Sequence, residues 1–193
     1  MQIAIIDYGA GNVQSVLFAL ERLGYSGIVT ANKKLIESAD KVIFPGVGEA
    51  SSAMKMIREK QLDEIIRNLK QPVLGICLGM QLLCKSSEEG NATGIGIFDI
   101  EIKRFSNELK VPQMGWNTIT NLKSKLFNTI KDEEFMYLVH SYYAPDNEFA
   151  IATTNYGFHY ASAIQKDNFY GVQFHPEKSG SAGEQILKNF LEL

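Results

Sequence analysis

The chain has 193 residues, of which 45% are hydrophobic and 21% are charged. This composition is typical of a globular domain and excludes collagenous, disordered and membrane-embedded chains. The formal net charge is −3 and the basic residues are scattered, so the basic face of a nucleic-acid-binding protein is missing. We therefore expect one domain over residues 1–193 that binds neither nucleic acid nor a membrane.

Targeting and redox features point to the cytoplasm. The N-terminus has no cationic stretch before its first apolar run, and the longest apolar segment, residues 72–84, is too short and too glycine-broken to span a bilayer. The two cysteines, Cys77 and Cys84, both lie on this segment and could not link distant parts of a secreted fold. These features predict reduced thiols and a cytoplasmic protein.

The first half of the chain alternates between short apolar runs and helical patterns. Residues 2–6 have the pattern of a strand buried on both faces, and Asn12 is placed to cap a helix whose apolar stripe ends at Gly24. Further strands are predicted at residues 41–44 and 72–76, and further helices at 51–69 and 78–85. This alternation predicts a parallel sheet flanked by helices.

The second half is richer in strand patterns. Turn residues separate β-rich stretches at residues 97–105, 135–140, 150–154, 161–165 and 170–174. A last amphipathic helix is predicted at residues 182–193. The fold class is therefore α/β, with a mostly parallel central sheet flanked by helices and additional β-strands in the second half.

A candidate nucleophile lies where a buried strand meets a helix. Residues 75–79, GICLG, have the context of a nucleophile elbow with cysteine in place of serine. Gly75 and Gly79 give the room that a sharp turn needs, and the helix N-terminus beneath Cys77 favours the reactive thiolate. The alternative for Cys77 is a small core residue, which is the role that we assign to Cys84.

A candidate base follows the last apolar run. His175 and Glu177 are separated by one residue, so in an extended backbone they project to the same side and the carboxylate can orient the imidazole. A lone histidine in a turn is more often solvated or capping, but together with the elbow this pair favours a Cys-His-Glu triad. His140 and His159 lack such a partner; His140 is a candidate for the lining of the site, and His159 for a structural or exposed position.

Acyl transfer also needs donors for the oxyanion. The backbone N–H of Leu78 follows the nucleophile, and residues 45–48, PGVG, offer the amides of Val47 and Gly48 from the end of the preceding strand. Such a loop alone is more often a simple turn. Glycines on both sides of Val47 leave its peptide free to turn, so the oxyanion hole need not be formed at rest.

At these residues the sequence resembles the class I, or triad, glutamine amidotransferases. Residues 45–48 (PGVG), 75–81 (GICLGMQ) and 175–179 (HPEKS) match the family's motifs in family order. The resemblance implies a flavodoxin-like fold, with Cys77 as nucleophile, His175 as general base and acid, and Glu177 as its orienting carboxylate. It also implies L-glutamine as substrate, without a cofactor or a metal. The substrate contacts that it implies are Gln81, Gly48, Ser141 and Tyr142.

Three features resemble one branch of the family, whose members supply ammonia to a cyclase subunit in histidine biosynthesis. They are residues 7–12 (DYGAGN), Met80, and residues 112–117 (PQMGWN). The resemblance implies a heterodimer with a cyclase subunit that is a (β/α)₈ barrel. The partner contacts that it implies are Asn12, Trp116, Tyr137 and Lys178. Trp116 as a core aromatic and Asn12 as a helix cap are equally compatible with the sequence.

Other functions share parts of this pattern. Glutaminases of anthranilate, guanylate and pyridoxal phosphate synthesis have the same triad, as does a paralogous subunit that supplies ammonia for amination of a surface sugar. A catalytically silent regulatory subunit could use the same fold, although the intact triad argues against it. A dinucleotide site at residues 9–11 is excluded because Gln14 occupies the next required glycine position.

Overall fold

The computed structural model describes all of residues 1–193, and its first half alternates strands and helices as predicted. The elements are β1 (Ile3–Ile6), α1 (Val13–Arg22), β2 (Gly27–Thr30), α2 (Lys33–Ser38), β3 (Lys41–Gly46), α3 (Ala50–Glu59), α4 (Leu62–Asn68), β4 (Val73–Cys77) and α5 (Leu78–Leu83). Strands β1, β3 and β4 are buried along their whole length, as expected for strands covered on both faces.

The second half adds nine strands and one α-helix. They are β5 (Cys84–Ser87), β6 (Ala92–Thr93), β7 (Phe98–Arg104), β8 (Gln113–Ile119), β9 (Glu134–His140), β10 (Tyr142–Pro145), β11 (Ala150–Asn155), β12 (His159–Lys166), β13 (Phe169–Val172) and the helix α6 (Gly180–Leu191). The predicted apolar stripe of α6 is confirmed, since Ile186, Leu187, Phe190 and Leu191 are all buried.

One large sheet organises the molecule in the order β2-β1-β3-β4-β13-β12-β10-β7-β5-β6, with β11 paired to β12. The five strands from β2 to β13 are parallel, and the pairs from β13 to β7 are antiparallel. Strands β8 and β9 form a separate antiparallel ribbon. The mostly parallel sheet with additional strands is thus confirmed, and the C-terminal strand β13 lies directly beside β4.

Apolar side chains cover both faces of the sheet. A cluster of 29 buried residues lies on the side of α3, α4 and α5, and a second cluster of 24 lies on the side of α1 and α6. Ala4 and Ile6 belong to the first cluster and Ile3 and Ile5 to the second, which is the alternation that a strand imposes. None of the helices is long and apolar enough to cross a membrane.

Three local predictions were wrong. The helix predicted over residues 51–69 is broken into α3 and α4 at Gln61, whose φ is 53°. The helix predicted over residues 78–85 ends at Leu83, because Cys84 already pairs with Phe98 of β7. Asn12 precedes α1, but its side chain does not cap the backbone; its Oδ1 accepts a hydrogen bond from the hydroxyl of Ser15 at 2.9 Å.

Candidate active site

The nucleophile elbow forms at the junction of β4 and α5. Cys77 has φ 53° and ψ −111°, a backbone conformation that is strained for a residue with a Cβ. A Cβ on Gly79 would overlap the carbonyl oxygen of Phe44, and one on Gly75 would come within 2.8 Å of the backbone nitrogen of Met80. The glycines are therefore needed for the close approach of α5 to the sheet, whereas the residue with the unusual backbone dihedral angles is Cys77.

The candidate base reaches the elbow through strand pairing. Val172 of β13 pairs with Ile76 of β4 in parallel register, so the residues after Val172 emerge beside Cys77. The Nδ1 atom of His175 and the Oε1 atom of Glu177 are 2.8 Å apart, with both side chains buried. The extended backbone expected for this pair was wrong, since residues 176–178 form a turn of 3-10 helix, but the turn brings the two groups together all the same.

The electrostatics of His175 favour its charged form. Burial opposes protonation, but hydrogen bonding and charge interactions with Cys77 and Glu177 outweigh it and raise the pKa of the imidazole. The second carboxylate oxygen of Glu177 has no hydrogen-bond partner, so the imidazole is the only group that the carboxylate hydrogen-bonds. The site can therefore hold an imidazolium beside the nucleophile, as cysteine acyl transfer requires.

The loop that could complete the oxyanion hole is anchored on one side only. A Cβ on Gly46 would come within 2.5 Å of the backbone nitrogen of Gly79, so Gly46 is locked against α5. Gly48 has φ 98° and open space around its Cα, and Val47 is 39% exposed. The freedom expected on both sides of Val47 is thus found only on the side of Gly48.

A cavity of about 330 Å³ opens at the carboxyl ends of β3 and β4, where parallel sheets commonly bind ligands. It is lined by Val47, Gly48, Cys77, Leu78, Gln81, Glu89, Pro112, Val139, His140, Ser141, Tyr142 and His175. The oxyanion and substrate residues proposed from the sequence therefore all meet in one place. Nowhere in the chain are three or more His, Cys, Asp or Glu side chains grouped as metal ligands.

Gln81 is more constrained than the sequence indicated. Its Nε2 atom donates to the backbone oxygen of Tyr142 at 2.9 Å and to Oε1 of Gln173 at 2.8 Å. Both hydrogens of the amide are thereby used, which leaves its carbonyl oxygen for any ligand in the cavity.

Glu89 is a cavity residue that the sequence analysis missed. It lies in the turn after β5, and its Oε2 accepts a hydrogen bond from the backbone N–H of Ala50 at 2.9 Å. Burial raises its pKa, and the nearby Glu49 acts in the same direction. No local motif marks this glutamate, because it reaches the cavity only through the packing of that turn against the start of α3.

His140 lines the cavity, and of the structural and exposed positions expected for His159 the structure shows the exposed one. Nδ1 of His140 lies 2.7 Å from the backbone oxygen of Tyr142, and Nε2 lies 3.2 Å from the hydroxyl of Tyr160. Since a carbonyl can only accept, Nδ1 carries the proton. Burial lowers the pKa of His140 to about 4, so the ring is neutral at physiological pH.

The four residues proposed as partner contacts lie at or near the surface. Trp116 and Tyr137 face each other across the β8–β9 ribbon, with ring centroids 6.0 Å apart. Trp116 is 56% exposed, so a core position for it is wrong. Lys178 is exposed in the turn after His175, and Asn12 is half-buried before α1.

Comparison with known proteins agrees with this geometry. The sequence model of the family described as "Glutamine amidotransferase class-I" matches residues 4–193. "Imidazole glycerol phosphate synthase subunit HisH" of Bacteroides fragilis is 57% identical over all of both chains, and its namesake in Buchnera aphidicola is 48% identical over the same coverage.

Solved structures agree at the level of the fold. A glutamine amidotransferase from Thermotoga maritima has a TM-score of 0.66 and 20% identity, covering 100% of this chain and 81% of its own. A crystal structure described as glutamine amidotransferase has a TM-score of 0.78 and 17% identity, covering 100% and 98%. With its motifs, cavity and full-length family match together, the chain belongs to the class I glutamine amidotransferases.

Proposed function

We propose that this protein is the glutaminase subunit of imidazole glycerol phosphate synthase, acting in the cytoplasm in histidine biosynthesis. Cys77, His175 and Glu177 form its Cys-His-Glu triad. The observation that carries the chemistry is the buried pair of His175 and Glu177 beside a strained cysteine at the floor of a small cavity. The relatives of that name, similar over their full length, support the assignment to this branch of the family.

The reaction follows from the positions of these groups. The Cys77 thiolate attacks the side-chain amide carbon of L-glutamine, and the negative charge moves to the amide oxygen. The backbone N–H of Leu78, with that of Val47 or Gly48, is placed to stabilise this oxyanion. The His175 imidazolium protonates the nitrogen, the C–N bond breaks, and ammonia leaves a glutamyl thioester on Cys77.

Hydrolysis of the thioester reverses the roles. His175, now neutral, takes a proton from water, the hydroxide attacks the thioester carbon, and Cys77 leaves as thiolate with glutamate as the product. Glu177 holds the imidazole by its Nδ1 and stabilises its charge throughout. No cofactor is required for either half.

The cavity also fits the backbone end of glutamine. The Glu89 carboxylate and the free carbonyl oxygen of Gln81 are acceptors for the α-ammonium group, and Ser141 and Tyr142 also line the cavity. This arrangement would select a free amino acid over a peptide-bound glutamine, because a peptide nitrogen carries no positive charge.

Removal of the nucleophile tests this function. The Cys77→Ala protein should fold and lose glutamine-dependent synthesis, while synthesis from ammonium salts by the complex with the cyclase should persist. Cys84→Ala is the matched control, since Cys84 is buried on the same segment but donates only to the backbone oxygen of Met80. Substantial glutamate release by Cys77→Ala, or equal loss in both variants, would remove Cys77 from the nucleophile role.

The partner surface that we propose is the outer face of the β8–β9 ribbon. Met114, Trp116 and Phe135 are each more than half exposed, and large apolar side chains grouped in this way mark interaction surfaces. The proposed partner is a cyclase subunit with a (β/α)₈ barrel, with Asn12, Tyr137 and Lys178 also at the contact.

Trp116→Ala tests this surface. Loss of a central aromatic anchor should weaken association about 30-fold or more, with little change in the stability of the free chain. Ile28→Ala on β2 is the control, since Ile28 is 43% exposed on the edge strand of the large sheet, which does not include the ribbon. Unchanged affinity of the Trp116→Ala chain for the cyclase, by titration calorimetry, would place the interface elsewhere.

The ribbon is directly connected to the triad. The backbone N–H of His175 donates to the backbone oxygen of Tyr137 at 2.9 Å, and the hydroxyl of Ser179 links the backbones of both residues. A partner on the ribbon can therefore adjust the base, and the free Gly48 side of the oxyanion loop offers a second adjustable element. We expect the isolated chain to be a poor glutaminase that its partner accelerates roughly 10²- to 10³-fold, the value of one oxyanion donor.

Glutamate release should be compared for the chain alone, with the cyclase, and with the cyclase plus its acceptor nucleotide. Rates should rise in that order. Full turnover by the free chain would show that the oxyanion loop is preformed.

A further inference from the structure

A buried amide, Gln173, lies between Gln81, which lines the predicted substrate pocket, and the nucleophile. It follows β13 directly, is fully buried, and has its Nε2 atom 3.7 Å from the Sγ atom of Cys77. Its Oε1 atom accepts a hydrogen bond from Gln81, which is 5% exposed. Two adjoining amides buried at this depth need their hydrogen bonds satisfied, so their orientations are fixed by their neighbours.

The direction of this chain of hydrogen bonds is set by a backbone carbonyl. The oxygen of Tyr142 can only accept, so Gln81 must turn its NH₂ group toward it. The second hydrogen of that NH₂ group then requires the carbonyl oxygen of Gln173 as acceptor. Gln173 is left with its own NH₂ group facing Cys77, and the reverse orientation would place two donors or two acceptors against each other.

An N–H group directed at sulfur discriminates between the two protonation states of the cysteine. Hydrogen bonds to ionised acceptors are roughly twice as strong as those to neutral ones, and a thiol sulfur is only a weak acceptor. The neutral thiol has a different contact, because Sγ also lies 3.8 Å from the backbone oxygen of Val139, which can accept the S–H proton. That oxygen cannot hydrogen-bond to a thiolate, because both are acceptors, whereas the Gln173 amide can donate to it.

We propose that Gln173 stabilises the Cys77 thiolate through its side-chain N–H, and that Gln81 is a positioning residue that holds the Gln173 amide in the donating orientation. The proposal rests on the glutaminase chemistry proposed above and adds a second hydrogen-bond donor to the sulfur besides the imidazole. It also couples the wall of the pocket at Tyr142 to the nucleophile.

The test is the pH dependence of Cys77 alkylation by iodoacetamide, with the modified cysteine identified by peptide mapping. Gln173→Met removes the donor at similar volume, and Gln173→Glu keeps an acceptor for Gln81 while placing a carboxyl group at the sulfur. Loss of one hydrogen bond to an ionised group should move the midpoint of the alkylation curve upward by about one pH unit in Gln173→Met, and further in Gln173→Glu.

These variants leave the other titratable residues near Cys77 unchanged, so the comparison addresses the amide. These residues are His175 and Glu177 after β13, Tyr8 after β1, Glu89 in the turn after β5, His140 at the end of β9, and Tyr160 in β12. Ser162→Ala is the matched control: Ser162 is fully buried, its hydroxyl has no partner, and its backbone oxygen accepts the backbone N–H of Gln173. Its midpoint should equal that of the unmodified protein.

Unshifted midpoints in both Gln173 variants, or an equal shift in Ser162→Ala, would overturn the proposal. A measurement on the unmodified protein is independent of variant folding: the side-chain amide resonance of Gln173, in protein labelled with ¹⁵N-glutamine, should titrate with the alkylation midpoint. A resonance that does not change with pH would also overturn it. If Cys77 in the unmodified protein is no more reactive than Cys84, the glutaminase chemistry itself fails, whereas a reactive Cys77 with an unshifted midpoint refutes only the role of Gln173.

Discussion

Acid should destabilise the fold through His140, beside the cavity. The ring is buried, with Nδ1 donating to the backbone oxygen of Tyr142 and Nε2 lying 3.2 Å from the hydroxyl of Tyr160. Burial lowers the pKa of His140 from 6.5 to about 4, so between these pH values the unfolded chain binds a proton that the folded chain does not. The free energy of unfolding therefore falls as the pH falls through this window.

The size of the effect follows from the shift. At about 1.4 kcal/mol per pH unit, the lowered pKa of His140 corresponds to about 3 kcal/mol of stability, present near neutral pH and lost by about pH 4. Urea unfolding at a series of pH values should show this loss, and the His140→Gln protein, whose side chain does not titrate, should show a curve flatter by that amount. Parallel curves for the two proteins would refute the reasoning, because the acid sensitivity would then belong to other groups.

Two further predictions concern the triad and a buried hydroxyl. His175→Asn should reduce glutamate release more than Glu177→Gln, since the base transfers the proton while the carboxylate orients and stabilises it; equal and negligible losses at matched folding would indicate a different triad. Tyr8→Phe should raise the free energy of unfolding by about 1 kcal/mol, because the Tyr8 hydroxyl is fully buried and the neighbouring backbone N–H of Val47 makes no hydrogen bond of normal geometry with it. Tyr160→Phe, which removes a hydroxyl that donates to Oε1 of Gln113, should lower it, and a stability order opposite to this one would contradict the hydrogen-bond assignment.

The parts of the site that the sequence predicted depend on short-range patterns. The elbow at Cys77 needs only a buried strand, a following helix and flanking glycines, all within residues 72–85. His175 and Glu177 are near enough in sequence to meet in several backbone conformations, which is why the pair formed although the extended backbone expected for it did not.

The parts that the sequence did not predict depend on tertiary pairing. No local sequence pattern indicates that β13 pairs in parallel with β4 at the boundary between the antiparallel and parallel halves of the sheet. This placement nevertheless brings Gln173 to the sulfur of Cys77. Strands β2 and β10 and helix α2 are too short for a periodic signal, with four to six residues each. Glu89 reaches the cavity from a turn whose position is set by α3.

The strained backbone of Cys77 and the late position of β13 in the chain are connected. A positive φ at a non-glycine residue costs free energy and persists only where the surrounding packing leaves no alternative. Here the packing comes from both sides of β4: Gly79 lies against Phe44 of β3, and β13 pairs with β4 up to Ile76. Strand β13 also leads into Gln173 and His175, the groups proposed to stabilise the thiolate form of Cys77. The strand that helps to hold the nucleophile in its strained conformation therefore also positions these groups. A reactive cysteine is consequently assembled only when the C-terminal quarter of the chain has folded into the sheet.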